Sequence, residues 1–291
     1  MRPLANFIMR GRMQAILVVG ISAAIPVLFW LSAAAAGLVL MRKGFAQAAP
    51  VLIWALIPAA VWAVYGDPIA LLVICSTLAL AQVLRETSAW LKVLIFSILL
   101  GLGCVWGLQA TFAEPIAELV TAISAALPQM LSGMYEELSA EDILKLENLL
   151  APVLIGLMAA TIQFMSLLSL MLARYWQSIL YNPGGFGKEF HRIRLPRLVA
   201  VALVAAMILA PNISIVIAGL TPLCAVVLGV AGLALVHGLM AKHKLSSFWL
   251  IALYLGLIFF VQLLFPLLVI MALADSLFDF RGLHVSKADA D

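Results

Sequence analysis

Apolar positions in this chain come in unbroken blocks, at about 13–41, 50–65, 68–84, 90–111, 149–173, 198–217, 219–240 and 248–274. A helix rises about 1.5 Å per residue, so a block of about 20 residues crosses the roughly 30 Å hydrocarbon core of a bilayer. Strands of a membrane barrel alternate apolar and polar residues with period two, and these blocks do not. Backbone groups in lipid must be satisfied within the chain, which leaves helices. The pattern predicts an all-α, polytopic transmembrane helical bundle of about eight hydrophobic segments, some short or broken. Residues 1–291 are read as a single integral membrane domain.

The breaks between blocks carry turn chemistry. Arg42-Lys43-Gly44 closes the first block, Gly66-Asp67-Pro68 reads as a tight turn, and Arg85-Glu86 to Lys92 separates the third from the fourth. Two longer stretches fall outside the membrane. In 114–148, Glu114, Glu118, Glu136, Glu137, Glu141, Asp142 and Glu147 face Lys145 alone. Ile116, Leu119, Val120, Ile123 and Leu127 recur there at helical spacing, which predicts an acidic amphipathic insert. Ser139 followed by Asp142 resembles a capping box and predicts a helix start. In 174–197, Arg174, Lys188, Arg192, Arg194 and Arg197 outweigh Glu189, giving a basic loop. Residues 275–291 read as a polar tail.

The charge asymmetry sets an orientation, because cytoplasmic loops of membrane proteins are enriched in Lys and Arg. The 174–197 loop is expected inside and the acidic insert outside. Counting back, Arg42/Lys43 and Arg85/Lys92 also fall inside. A single span over 13–41 would then leave Arg2, Arg10 and Arg12 outside. The conflict disappears if the chain enters and returns as two short helices broken near Ala24-Ile25-Pro26. Block 248–274, which contains Pro266, is expected to be either one tilted span or a second broken pair.

Composition narrows the class further. The chain is 65% hydrophobic and 11% charged, against roughly 45–50% and about 25% in an ordinary globular domain. The arginines before the first block followed by Ser32-Ala-Ala-Ala-Ala36 have the look of a cleavable signal. The apolar run continues to Met41, however, and a retained segment is expected. Cys75, Cys104 and Cys224 lie far apart inside apolar blocks and read as small core residues, not as a disulfide framework.

Catalytic motifs are not found. Asn182-Pro-Gly-Gly-Phe-Gly-Lys188 has Asn where a phosphate-binding loop needs its first Gly, and Glu189 where it needs Ser or Thr. No HExxH or GxSxG occurs, so neither an enzyme, a cofactor, a metal site nor a nucleic-acid partner is expected. Ionisable groups deep in a membrane segment usually mark transport or proton relay. Here Asp67, His237 and Asp275 lie near segment ends. The candidate ligand-cavity residues are therefore uncharged: Gln82, Gln109, Gln163, Asn212 and Gln262. Polar groups that converge on a pocket favour a ligand binder, whereas groups paired with one another in a solid core favour a scaffold. Ser32, Ala33, Ala36 and Gly37 form a small-residue face, read as internal packing or as a docking face. Lys188, Arg192, Arg194 and Arg197 are candidates for binding a cytoplasmic partner.

Three stretches carry a resemblance: Trp30 to Gly44, Arg174-Tyr-Trp-Gln to Leu195-Pro196, and Ala274-Asp-Ser-Leu-Phe-Asp-Phe-Arg281. Together they resemble the YybS-like predicted membrane proteins of bacteria, a family of unknown function. That family is similar in architecture to the substrate-binding S components of energy-coupling-factor transporters. The resemblance implies the bacterial inner membrane, a small-molecule ligand, and docking to a membrane coupling protein with cytoplasmic ATPases. The acidic insert departs from a compact S component. The alternative reading is a non-transport scaffold that recruits partners through its cytoplasmic loop.

Overall fold

The computed structural model describes residues 1–130, 139–213 and 217–282, and among them helices are the only regular secondary structure. The elements are α1 (Arg2–Arg10), α2 (Arg12–Ala24), a 3-10 turn (Pro26–Leu28), α3 (Phe29–Lys43), α4 (Phe45–Val64), α5 (Ile69–Thr87) and α6 (Trp90–Thr111). After them come α7 (Ala113–Met130), α8 (Ala140–Tyr181), α9 (Gly185–His191), α10 (Arg197–Ile213), α11 (Leu220–Lys242), α12 (Phe248–Phe259) and α13 (Val261–Phe278). Among the described residues, seven segments are long and apolar enough to cross a membrane: Pro26–Lys43, Phe45–Val64, Ile69–Thr87, Trp90–Thr111, Glu141–Tyr181, Leu220–Lys242 and Val261–Phe278. The protein is an all-α polytopic bundle.

The first apolar block is the broken pair that the charges require. Ile25 is extended, and Pro26 opens the 3-10 turn that reverses the chain between α2 and α3. The Ser32 hydroxyl donates to the Val19 carbonyl at 2.8 Å and ties the two arms together. The Trp62 indole N–H donates to the Ala24 carbonyl at 3.2 Å and closes the far end of the hairpin. With 13 residues, α2 is about 20 Å long, short of the hydrocarbon core. A bend of 119° separates α1 from α2. Ala5 and Ile8 of α1 are buried against the bundle while Arg2, Asn6 and Arg10 are exposed.

The small-residue face of α3 is interior. Ser32, Ala33 and Ala36 are fully buried, as is Gly37, where an added Cβ would sit 3.4 Å from the Cβ of Ala173. The docking reading of these four residues is thus corrected. They let α3 approach α5 and α8 closely, which in a membrane replaces the hydrophobic effect as the source of helix association. Gly156 and Gly219 serve the same purpose where α8 passes the start of α11; a Cβ on Gly156 would lie 2.7 Å from the Gly219 Cα.

Several boundaries differ from the sequence reading. Block 149–173 is the middle of α8, a helix of 42 residues, or about 63 Å, twice the hydrocarbon thickness. Its first turns belong to the acidic insert and its last to the basic stretch, so 174–197 is not a loop but the end of α8, a short turn, α9 and a connector. Ser139 caps α8, its Oγ accepting from the Asp142 amide at 3.2 Å. Residues 131–138 of the insert lie outside the described residues. Block 248–274 is a broken pair, but the break falls at Phe260 (φ −127°, ψ 38°), and Pro266 is accommodated within α13. Residues 275–282 are not a free tail, because Asp275, Ser276 and Arg281 are buried. Residues 283–291 lie outside the described residues.

Candidate functional site at the basic end of the bundle

The five uncharged polar candidates do not converge. Gln163 is buried and its amide donates to Ser97 Oγ at 2.8 Å, joining α8 to α6 within a packed core. Gln82 donates to Glu86 one turn along α5 and borders an apolar groove lined by Leu40, Leu52, Leu56 and Leu78. Gln109 is exposed beside Trp106 and Gly219, and Gln262 is exposed on α13. The Asn212 side chain lies outside the described residues. The expectation of a shared ligand cavity between these residues is corrected: the side chains that are described occupy separate surroundings.

Side chains that do gather are at the basic end. A Cβ on Gly44 would lie 2.8 Å from the Arg85 guanidinium, and Arg42 stacks over the Tyr181 ring at 4.1 Å. The ends of α3, α5 and α8 therefore meet here. Between α8 and α10, the Ser178 hydroxyl donates to the Asn182 carbonyl at 2.7 Å and accepts from the Phe186 amide at 3.1 Å, folding the turn into α9. Glu189 on α9 is held by a two-pronged pair with Arg174 and by the Trp90 indole N–H at 3.3 Å. Burial pushes the Glu189 carboxyl up, but the bonds and charge of Arg174 and the Trp90 bond outweigh it and hold it below the usual carboxylate range. His191 is shifted down by its burial and by the neighbouring His237 and Arg281.

A second brace comes from α13. Arg194 donates to the Asp275 carbonyl at 2.8 Å and pairs with Asp279 at 3.1 Å. Its cation thereby also sits at the carbonyl end of the α13 dipole. Arg281 donates to the carbonyls of His191 at 2.7 Å and Ile193 at 2.8 Å, and to Asp275 Oδ2 at 2.7 Å. Both arginines and Asp275 are largely buried. Arg194 is therefore corrected from a docking cation to an internal brace, whereas Lys188, Arg192 and Arg197 are exposed. Sequence reading missed this cluster because its members are some 80 residues apart; the acidic Asp275 and Asp279 one turn apart, followed by Arg281, were its only signal.

Beside α9 lies an aromatic groove of about 320 Å³ between α8, α9, α11 and α12. Ring contacts run from Trp90 to Phe186 (6.1 Å), Phe186 to Phe190 (5.8 Å), Phe190 to His237 (5.3 Å) and His237 to Tyr254 (5.8 Å). A carbonyl can only accept, so His237 donates from Nδ1 to Leu233 at 2.9 Å. In the neutral ring Nε2 then accepts from the Tyr254 hydroxyl at 3.2 Å. Among the described residues no three His, Cys, Asp or Glu side chains are grouped so as to hold a metal ion. Comparison of the chain with protein-family models, curated proteins and solved structures finds no match in any of the three.

Proposed function

We propose that this chain is a non-enzymatic, multi-pass protein of the bacterial inner membrane that recruits an acidic segment of a partner protein to its cytoplasmic face through Lys188, Arg192 and Arg197. The orientation follows from the distribution of Lys and Arg. The observation that carries the reading is the two-sided bracing of α9 and the connector after it. Arg174 and Trp90 hold Glu189 from one side, and Arg281 holds the His191 and Ile193 carbonyls from the other. The exposed cations are thereby displayed on a fixed frame. Fixing the frame in advance reduces the ordering cost of binding, and complementary charge speeds encounter.

A transport component resembling an S component is the second reading. It needs polar side chains around a ligand, and the separation of Gln82, Gln109, Gln163 and Gln262 weighs against it. The YybS-like resemblance belongs to this proposal as a scaffold built on a transporter-like bundle.

The test is affinity purification from native membranes in mild detergent, comparing the native chain with a variant carrying K188E, R192E and R197E. A partner with an acidic segment should co-purify with the native chain and be lost from the variant, while both elute alike on size exclusion. Equal recovery with both chains sinks the recruitment reading. Recovery of an ATPase set together with a stoichiometric small molecule replaces it with transport.

A further inference from the structure

The two broken pairs of this bundle satisfy their turns differently. Both enter from the basic end and return to it. In the second pair, Lys242 just before α12 donates to the carbonyls of Phe280 and Arg281 just after α13, at 3.4 and 3.3 Å. With 12 residues, α12 reaches about 18 Å, so the break at Phe260 falls inside a hydrocarbon core of roughly 30 Å. Helix ends at that depth carry backbone groups that lipid cannot satisfy. In the first pair the chain's own indoles do so: Trp30 donates to the Val27 carbonyl at 2.9 Å and Trp62 to the Ala24 carbonyl at 3.2 Å. At the second break the Phe260 carbonyl accepts from the Leu263 and Leu264 amides. Pro266, however, has no N–H to offer the Gln262 carbonyl four residues before it. The Gln262 side-chain amide is exposed and has no partner among the described residues. Phe259, Phe260, Val261 and Leu263 around it are exposed as well.

We propose that the tip of the α12–α13 hairpin is the contact surface of a homodimer within the membrane, in which two copies pair their Gln262 amides reciprocally and pack the exposed residues 258–263 around them. A primary amide is donor and acceptor at once, so two identical ones satisfy each other. Copies inserted in the same direction are related by a two-fold axis along the membrane normal. Gln262 therefore meets Gln262 at its own depth, whereas an unrelated protein would need a polar group placed at that level. Acyl chains offer no hydrogen bond at all. Apolar contact alone gains little between helices already in lipid, and hydrogen bonds between polar side chains are one of the forces that associate them. The surface goes beyond the recruitment reading and does not rest on it, since it shares no residue with Lys188, Arg192 and Arg197.

The test is single-molecule photobleaching of the purified full-length chain in phosphatidylethanolamine/phosphatidylglycerol vesicles over a range of protein-to-lipid ratios. The native chain should pass from one bleaching step to two as the ratio rises. Gln262→Leu should move that midpoint about tenfold toward higher ratio, a step worth about 1.4 kcal/mol, at an unchanged melting temperature. Gln262→Asn keeps an amide and should retain the dimer. A second measurement uses native membranes, with Cys75, the exposed one of the three cysteines, replaced by Ala. Gln262→Cys should then give a disulfide-linked dimer under mild oxidation, and Leu99→Cys, exposed on α6, should not. A chain that stays monomeric at every ratio overturns the dimer. A dimer that Gln262→Leu leaves unshifted overturns the hairpin tip as its contact. A Gln262→Cys product whose mass is not twice that of the chain replaces the second copy with another membrane protein. The K188E/R192E/R197E variant should dimerise like the native chain, so failure of the dimer and failure of partner recruitment are told apart.

Discussion

The two ends of this bundle carry opposite charge and use it differently. At the acidic end, Glu114 and Glu118 on α7 and Glu141 and Asp142 at the start of α8 are exposed. Among the described residues the one ion pair there, Lys145 with Glu141 at 2.7 Å, is local to one helix and open to solvent. At the basic end, Arg174, Arg194 and Arg281 are partly or largely buried and reach across the sequence to tie α8, α9, α13 and the connector before α10 to one another. The acidic charges need only stay wet. The basic ones serve topology and tertiary structure at once. Position along a membrane normal therefore says where a charge lies but not whether it is structural; that depends on whether its partner is nearby in sequence or brought in by the fold.

The sharpest way to break this comparison is Asp275→Ala. Asp275 is the carboxylate shared by the two buried arginines, and removing one partner of a buried pair costs about 3–5 kcal/mol. Thermal melting in detergent should fall strongly, and limited proteolysis should open the region around 191–197. An unchanged melting temperature would mean that the cluster contributes little. Next is Ser139→Ala at the acidic end, where loss of the cap costs about 1 kcal/mol. That cost should be confined to faster amide exchange in the first turn of α8, with global melting untouched.

Glu189→Gln should be comparable, about 1 kcal/mol for a partly buried pair, but felt at α9. Its carboxyl is held below the ordinary range, so its stabilisation is fully present above the unfolded value and is lost as pH falls through the lower folded value. Exchange at 185–191 should therefore quicken on acidification into the carboxylate range in the native chain, and not in Glu189→Gln. The smallest effect is expected for Lys145→Ala, at about 0.3–0.5 kcal/mol for an exposed pair four residues apart. If Lys145→Ala rivals Asp275→Ala, the contrast between the ends is wrong. Cysteine probes sharpen the same contrast: a probe at Glu118 should label from outside intact cells and one at Lys188 should not.

Much of the architecture was legible from the apolar blocks, because a membrane span has to announce itself by length. The hairpin broken at Ile25 was reached from charge alone, since Arg2, Arg10 and Arg12 had to share a side with Arg42 and Lys43. The acidic helix start at Ser139 was visible because capping is local. What failed was whatever depends on which face of a helix meets which neighbour. A small-residue stripe such as Ser32–Gly37 looks the same whether it packs inside or docks outside. The glutamines give no hint of convergence, because helices separated by long blocks can be assembled in many rotations. The aromatic groove stayed hidden for the same reason: only Phe186 and Phe190 share a helical turn, and Tyr175, His237 and Tyr254 reach them through the fold.

The late position of α13 has a consequence for how the molecule is built. Arg194 emerges from synthesis about 80 residues before the carboxylates and carbonyls that receive it. Until α13 has been threaded into the bilayer, Arg194 lacks its carboxylates and α9 lacks the anchor that Arg281 supplies. The clasp at Asp275 thus closes only when the helices between Arg194 and Asp275 bring the chain back to the same end of the bundle. A chain with one span inverted would deliver Asp275 to the opposite leaflet, leaving its surface platform unfastened and open to the proteases that clear unfinished membrane proteins.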